Sequence, residues 1–210
     1  MAAWPGVTAL ASRAAVAALA CAAALTAGAS DVPIAWGKSV PAAIETAARD
    51  RQPVLIDVWA TWCKPCKRMD EVTYRDPVVL RAIEGFVPVK VDADAHGLFV
   101  DRYEIDAYPT VLVLDGAGEE LARLEGFAEP AELADLAVAI REGYPGYLES
   151  QELGDDPEAL RKRALFLAQL GNGADAEELL RRAVKIAKKS APQMVAPCEQ
   201  ELAKIRTTAD

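Results

Sequence analysis

Histidine is nearly absent. The chain has one, His96, and its four cysteines stand at positions 21, 63, 66 and 198 with no second spaced pair. Structural zinc takes four ligands, usually from two spaced pairs, so Cys63 and Cys66 together with His96 and Cys198 make a poor set, and no metal site is expected. Basic residues are also short, 23 Lys and Arg against 32 Asp and Glu, for a net charge of −9. That balance argues against nucleic-acid backbones and anionic membrane surfaces as partners. Long apolar runs are missing after the first 29 residues, so no later segment offers the about 20 residues that a membrane-spanning helix needs.

The one apolar run, Ala14 to Leu25, follows Arg13, the single charge of residues 1–29, and precedes Ala27-Gly28-Ala29. A charge, a short apolar segment and a small-x-small site make a secretory signal peptide, with cleavage expected after Ala29. A membrane anchor is the plainer alternative, but the run is short for one. Lipid attachment at Cys21 is another. In each case the remaining chain is expected in a periplasmic or extracytoplasmic space. Cleavage removes one Arg and no acid, leaving a net charge of −10 and three cysteines. A close pair plus a leftover is not a disulfide scaffold, so Cys63 and Cys66 read as a working redox pair. For Cys198 the readings are a buried inert thiol or an intermolecular or regulatory one.

Apolar, β-branched runs at 54–59, 86–91 and 110–114 read as strands, and Asp115-Gly116-Ala117-Gly118 is turn chemistry leading to a fourth, antiparallel strand over 120–125. Helical patterns fill the gaps: 41–50, one opening at Cys63, one capped by Asp76-Pro77, a short one over 97–103, and 130–141. Helices between strands imply crossover units with a parallel component. After Gly143 strand signals stop. Tyr144-Pro145-Gly146-Tyr147 reads as a linker, followed by helices from Pro157 to about Leu170 and over 174–189, with a third candidate over 197–205. The domain plan is therefore a leader over 1–29, an α/β domain over 30–143, a linker over 144–156 and a helical hairpin or three-helix tail over 157–210. The apolar stripes of the tail helices must be buried, against the domain or against a partner protein.

Cys63-Lys64-Pro65-Cys66 stands between a buried strand and a helix start. Unpaired N–H groups and the helix dipole stabilise a thiolate there, and Lys64 adds a cation, so Cys63 is expected to be the more exposed and more acidic thiol. Thiolate attacks disulfides, and Cys66, one turn on, is placed to resolve the mixed disulfide. Half a zinc site and a static structural disulfide are the plain alternatives. Asp57, six residues earlier in an apolar strand, has its carboxyl raised by burial toward a usable base, or is merely a buried polar residue. His96 reads as a loop or helix-start residue.

The stretch Asp57-Val58-Trp59-Ala60-Thr61-Trp62-Cys63-Lys64-Pro65-Cys66-Lys67, with Tyr108-Pro109-Thr110 before the third strand, resembles the thioredoxin family over about residues 33–142. Thr73-Tyr74-Arg75-Asp76-Pro77-Val78 and the glycine-containing turn after Leu114 are similar to the periplasmic C-terminal domain of DsbD-type membrane disulfide reductases. The resemblance implies a thioredoxin-like fold, a central mixed sheet flanked by helices, with a small all-α appendage at the C-terminal end. It implies thiol:disulfide oxidoreductase activity with no cofactor beyond the redox-active Cys63–Cys66 disulfide. It makes Asp57 the acid that takes the proton of the resolving cysteine and Lys90 its partner, Lys90 otherwise being a plain strand lysine. It makes Tyr108-Pro109-Thr110 a cis-proline loop that pairs with substrate, and Trp62 part of the landing surface, with Trp59 in the core. The implied partners are protein disulfide substrates and a membrane electron donor. The sequence departs from the DsbD type in lacking an electron-conducting membrane segment and in carrying the helical tail. A disulfide oxidant of the DsbA type, and a redox-gated adaptor whose tail binds a partner, are the rival readings.

Overall fold

The structure, a computed structural model, describes residues 33–208. The leader, with Arg13, Cys21 and the site after Ala29, lies outside the described residues.

Four strands, β1 (Val54–Trp59), β2 (Val87–Asp92), β3 (Thr110–Leu114) and β4 (Glu120–Glu125), form one sheet in the order β2-β1-β3-β4. β1 pairs parallel to β2, with Asp57 opposite Lys90, and antiparallel to β3, with Val58 opposite Thr110 and Val54 opposite Leu114. β1 lacks polar alternation because both of its faces are covered. Helices α1 (Val40–Asp50), α2 (Lys64–Glu71), α3 (Pro77–Ala82), α4 (Gly97–Arg102) and α5 (Pro130–Glu152) supply the cover. Ile56, Val58, Leu112 and Leu114 pack with Ala43 and Ala47 of α1, and with Phe99 of α4. Leu55, Val111 and Val113 pack on the other face with Met69 of α2, Val79 of α3 and Leu133 of α5. Asp57 has the parity of Leu55, so it points to this second face. Asp76 caps α3 as the sequence promised, accepting from the Val78 N–H, and Ser39 caps α1 by accepting from the Ala42 N–H.

The segment 144–156 is not a linker. α5 runs on through Pro145 to Glu152, and only Leu153 to Asp156 connects it to α6 (Pro157–Gln169). Proline inside a helix costs about 3 kcal/mol. Tyr144 and Tyr147 offset it: both are buried, their rings stack at 5.9 Å, and the Tyr147 hydroxyl donates to Asp115 Oδ2 at 3.1 Å. Burial alone is worth about 1.5–3 kcal/mol for each large side chain, enough to carry the helix across the break.

α6, α7 (Gly173–Ser190) and α8 (Val195–Thr208) complete the chain as three helices. Leu160, Phe166, Leu167, Leu180, Ala183 and Cys198 join the same buried cluster as Leu55 and Leu133, so the tail packs on the α/β domain. Asn172 ties the tail to the β3–β4 turn by donating to the Glu120 carbonyl, and Gln151 of α5 donates to Asp115 at the same turn. Because β1 and β3 are antiparallel, that turn lies at the end of the sheet where β1 begins, opposite the end where β1 leads into Cys63.

Phe166 fixes the α5–α6 crossing at Gly143. A Cβ on Gly143 falls 2.4 Å from Phe166 Cε2, and the Phe166 ring is itself held 5.2 Å from that of Tyr147. Glycine to alanine in an exposed helix gains about 1 kcal/mol. At Gly143 the sign reverses: Gly143→Ala is expected to lower stability by about 1–3 kcal/mol through overpacking, read as a lower urea midpoint at unchanged m-value.

Candidate active site

β1 ends at Trp59, the Cys63 N–H donates to the Ala60 carbonyl, and α2 begins at Lys64. Cys63 is therefore the N-cap residue. Its Sγ takes the place of a capping oxygen and accepts the Cys66 N–H at 3.1 Å. Pro65 lies in the first turn, where a missing N–H costs nothing. Cys63 and Cys66 form a disulfide. Both are only 3% exposed, so the expected greater exposure of Cys63 is not found in this state. Both cysteines pack in one small cluster with Ala60, against which Trp59 and Tyr108 lie.

Asp57 and Lys90 meet as the strand register requires, Nζ to Oδ2 at 2.6 Å, and Lys90 also reaches Asp70 of α2 at 2.5 Å. Asp57 is 1% exposed. Burial pushes its carboxyl above the ordinary range, and Lys90 opposes that only in part. Burial likewise pulls the Lys90 ammonium down, but Asp57 and Asp70 together outweigh it and the net direction is up. Lys90 is further enclosed by the rings of Trp36, Tyr74 and Trp59, with Nζ at 5.1, 5.3 and 5.8 Å from their centroids.

Trp62 is 63% exposed beside the disulfide. Its ring N–H donates to Asp94 Oδ1 at 3.3 Å and its ring meets Tyr108 edge-on at 5.8 Å. The Tyr108–Pro109 peptide is cis. Pro109 and Thr110 are buried; the Pro109 carbonyl accepts from Gly126 and the Thr110 hydroxyl donates to Ala107. Thr110 therefore holds the loop and offers no side chain to a substrate. Trp59 is only half-buried, at the rim of the core.

His96 stands at the start of α4, its Nδ1 2.9 Å from the Asp92 carbonyl. Cys198 is buried in the tail, where burial raises its thiol. Among the described residues no group of acidic, His and Cys side chains is arranged to hold a metal ion.

Trp36, Asp70, Tyr74 and Asp94 were not singled out from the sequence. Asp70 was within reach of helical spacing, four residues beyond Cys66. Trp36 was not, because it is brought over Lys90 by a single bridge in which Gly37 accepts from the Lys90 N–H and donates to the Pro88 carbonyl.

A thioredoxin-like domain family matches residues 40–140, which contain the sheet, the disulfide and the Asp57–Lys90 pair. Over 89 residues the chain is 36% identical to a thioredoxin-like protein of Synechocystis, covering 42% of this chain and 82% of that protein. The chain belongs to the thioredoxin-like family. With its Cys63–Cys66 pair it is a thiol:disulfide oxidoreductase of that family. It is also 31% identical over 97 residues to the thiol:disulfide interchange protein DsbD of Cronobacter sakazakii, but spans only 17% of that longer protein's length and aligns over 43% of its own. The oxidised C-terminal domain of Neisseria meningitidis DsbD is 28% identical, covering 48% of this chain and 95% of that domain, with a TM-score of 0.41. Helices α6 to α8 lie beyond the family match.

A raised Asp57 has a stability consequence whose sign is fixed. The fold favours the neutral carboxyl, so its contribution is full below the unfolded value of about 3.9 and is lost as pH rises through the higher folded value. Asp57→Asn removes that loss. Urea unfolding between about pH 4 and 8 is expected to show the wild type falling in stability relative to Asp57→Asn as pH rises.

Proposed function

We propose that the protein is an exported reductant or exchange catalyst for disulfides of extracytoplasmic proteins, supplied with electrons by a membrane protein. The observation that carries the reading is Cys63 Sγ in the capping position of α2, beside an exposed Trp62, with the buried Asp57 at mid-strand in β1. A thiolate at a helix N-terminus is stabilised by the dipole and by the amide that already points at it. The similarity to DsbD and the proline before the second cysteine support the reducing direction. The charge, apolar run and small-x-small site of residues 13–29 support export, and Cys21 offers lipid attachment as the alternative.

In the reducing direction the Cys63 thiolate attacks one sulfur of a substrate disulfide. A mixed disulfide forms and the other substrate sulfur leaves as thiolate. Asp57 takes the proton of Cys66, whose sulfur attacks Cys63 Sγ. The Cys63–Cys66 disulfide closes and the second substrate thiolate is released. The substrate gains two electrons, and a dithiol donor returns them to the pair. Trp62 and Tyr108 form the landing surface. Among the described residues the Tyr108 N–H and C=O make no hydrogen bond, leaving them for an extended substrate segment.

Cys63→Ser is expected to abolish insulin-disulfide reduction, while Cys66→Ala retains the first attack and traps mixed disulfides that mass spectrometry identifies. Equilibration with glutathione is expected to place the pair near about −270 mV; a value near about −120 mV makes the protein an oxidant instead. A mature N-terminus at Ser30 is expected by mass spectrometry, and a start at Cys21 carrying lipid would replace that reading.

A further inference from the structure

Tyr74 sits on the short turn Thr73–Arg75 after α2, anchored by the Thr73 hydroxyl donating to the Ala128 carbonyl at 2.7 Å. Its ring is clamped: Trp36 meets it edge-on at 4.9 Å and Lys90 Nζ lies 5.3 Å from its centroid. The side chain is buried, and its hydroxyl makes no hydrogen bond. A buried hydroxyl without a partner is costly, so the orphan needs an account. The second orphan supplies it. Asp57 Oδ1 is also buried and without a hydrogen bond, while Oδ2 is taken by Lys90. The two residues flank the same ammonium: Lys90 Nζ lies 2.6 Å from Asp57 Oδ2 and 5.3 Å from the centroid of the Tyr74 ring. The groups facing Asp57 are then Lys90 from β2, Asp70 from α2 and Tyr74 from the turn.

We propose that Tyr74 is a positioning residue for the proton acceptor of the redox pair, its hydroxyl donating to the free Oδ1 of Asp57 and stabilising the ionised carboxylate. A carboxylate oxygen has two lone pairs, so this bond leaves room for the proton of a thiol. Burial, and then Asp57, hold the Tyr74 phenol well above its ordinary value, so it stays protonated and remains a donor across the working range. Lys90 and Tyr74 thereby hold one oxygen each, which fixes the carboxylate plane and counters the burial that favours the neutral acid.

The inference rests on the proposed role of Asp57, and the test separates the two. The carboxyl of Asp57 is followed by carbon-13 NMR across pH in the oxidised wild type, in Tyr74→Phe, and in protein carrying 3-fluorotyrosine at position 74. Loss of the donor is expected to raise the Asp57 titration by about one unit, the size of one charge-assisted hydrogen bond. The fluorinated ring has a more acidic hydroxyl, donates more strongly and is expected to lower it. Packing alone does not produce opposite signs from these two changes. The acidic limb of the turnover profile should move with each shift. An Asp57 that titrates at the same pH in all three proteins, or at a lower pH in Tyr74→Phe, overturns the role of Tyr74. If Tyr74→Phe does not fold, the fluorinated protein decides alone: no downward shift overturns the proposal. Asp57→Asn with an unchanged turnover profile instead overturns Asp57 as proton acceptor, whatever the NMR shows for the hydrogen bond.

Discussion

A carboxylate buried in a central strand, β1, is the constraint around which the redox end is arranged. Burying a charge costs several kcal/mol unless it is paired and hydrogen-bonded. The parallel register of β1 and β2 sets Lys90 directly across from Asp57 and supplies that pairing. Lys90 is itself largely withdrawn from water, so it needs more than one partner. Asp70 contributes a second carboxylate, and Trp36, Tyr74 and Trp59 present ring faces. The net outcome is an acid still held above its ordinary range, which is what a proton acceptor for a thiol requires.

Antiparallel pairing of β1 and β3 then divides the molecule into two ends. Where β1 finishes, the chain turns into Cys63, and the Tyr108–Pro109 loop approaches from the start of β3. Where β3 finishes, Asp115 receives Tyr147 and Gln151, and Glu120 receives Asn172. The helical appendage thus shares the core of the α/β domain while standing at the end away from the disulfide. Its contacts leave Trp62 and Tyr108 uncovered, so it does not screen the redox face. Sharing a core has a further effect: α6 to α8 are not a detachable module, since α5 packs on both parts.

Much of this was legible in order along the chain. The runs 54–59 and 110–114 are mostly apolar and lack the polar alternation of a one-sided strand, and Asp76-Pro77 announces a helix by capping chemistry. The redox pair and its helix-start position followed from spacing, and the role of Asp57 from the resemblance to the thioredoxin family. The misreading at 144–147 has a plain cause. Tyr-Pro-Gly-Tyr is turn chemistry locally, and its helicity is supplied by Asp115 and Phe166, which lie 32 residues before and 19 residues after Tyr147. The resemblance places Thr110 in the substrate-pairing loop, whereas sheet pairing turns its side chain inward.

The sequence by itself determined whatever rests on short-range chemistry: the four strands, the helix announced by Asp76-Pro77, and which sulfur stands at a helix start. Tertiary structure alone decided what rests on surfaces meeting across long separations. It placed Trp36 and Tyr74 around Lys90, chose the end of the sheet on which the tail docks, and buried Cys63 as deeply as Cys66 in the disulfide state. Local conformational preferences are properties of a few neighbouring residues and can be read from them. The desolvation of Asp57 depends on which elements cover it, and that exists only once the chain has folded.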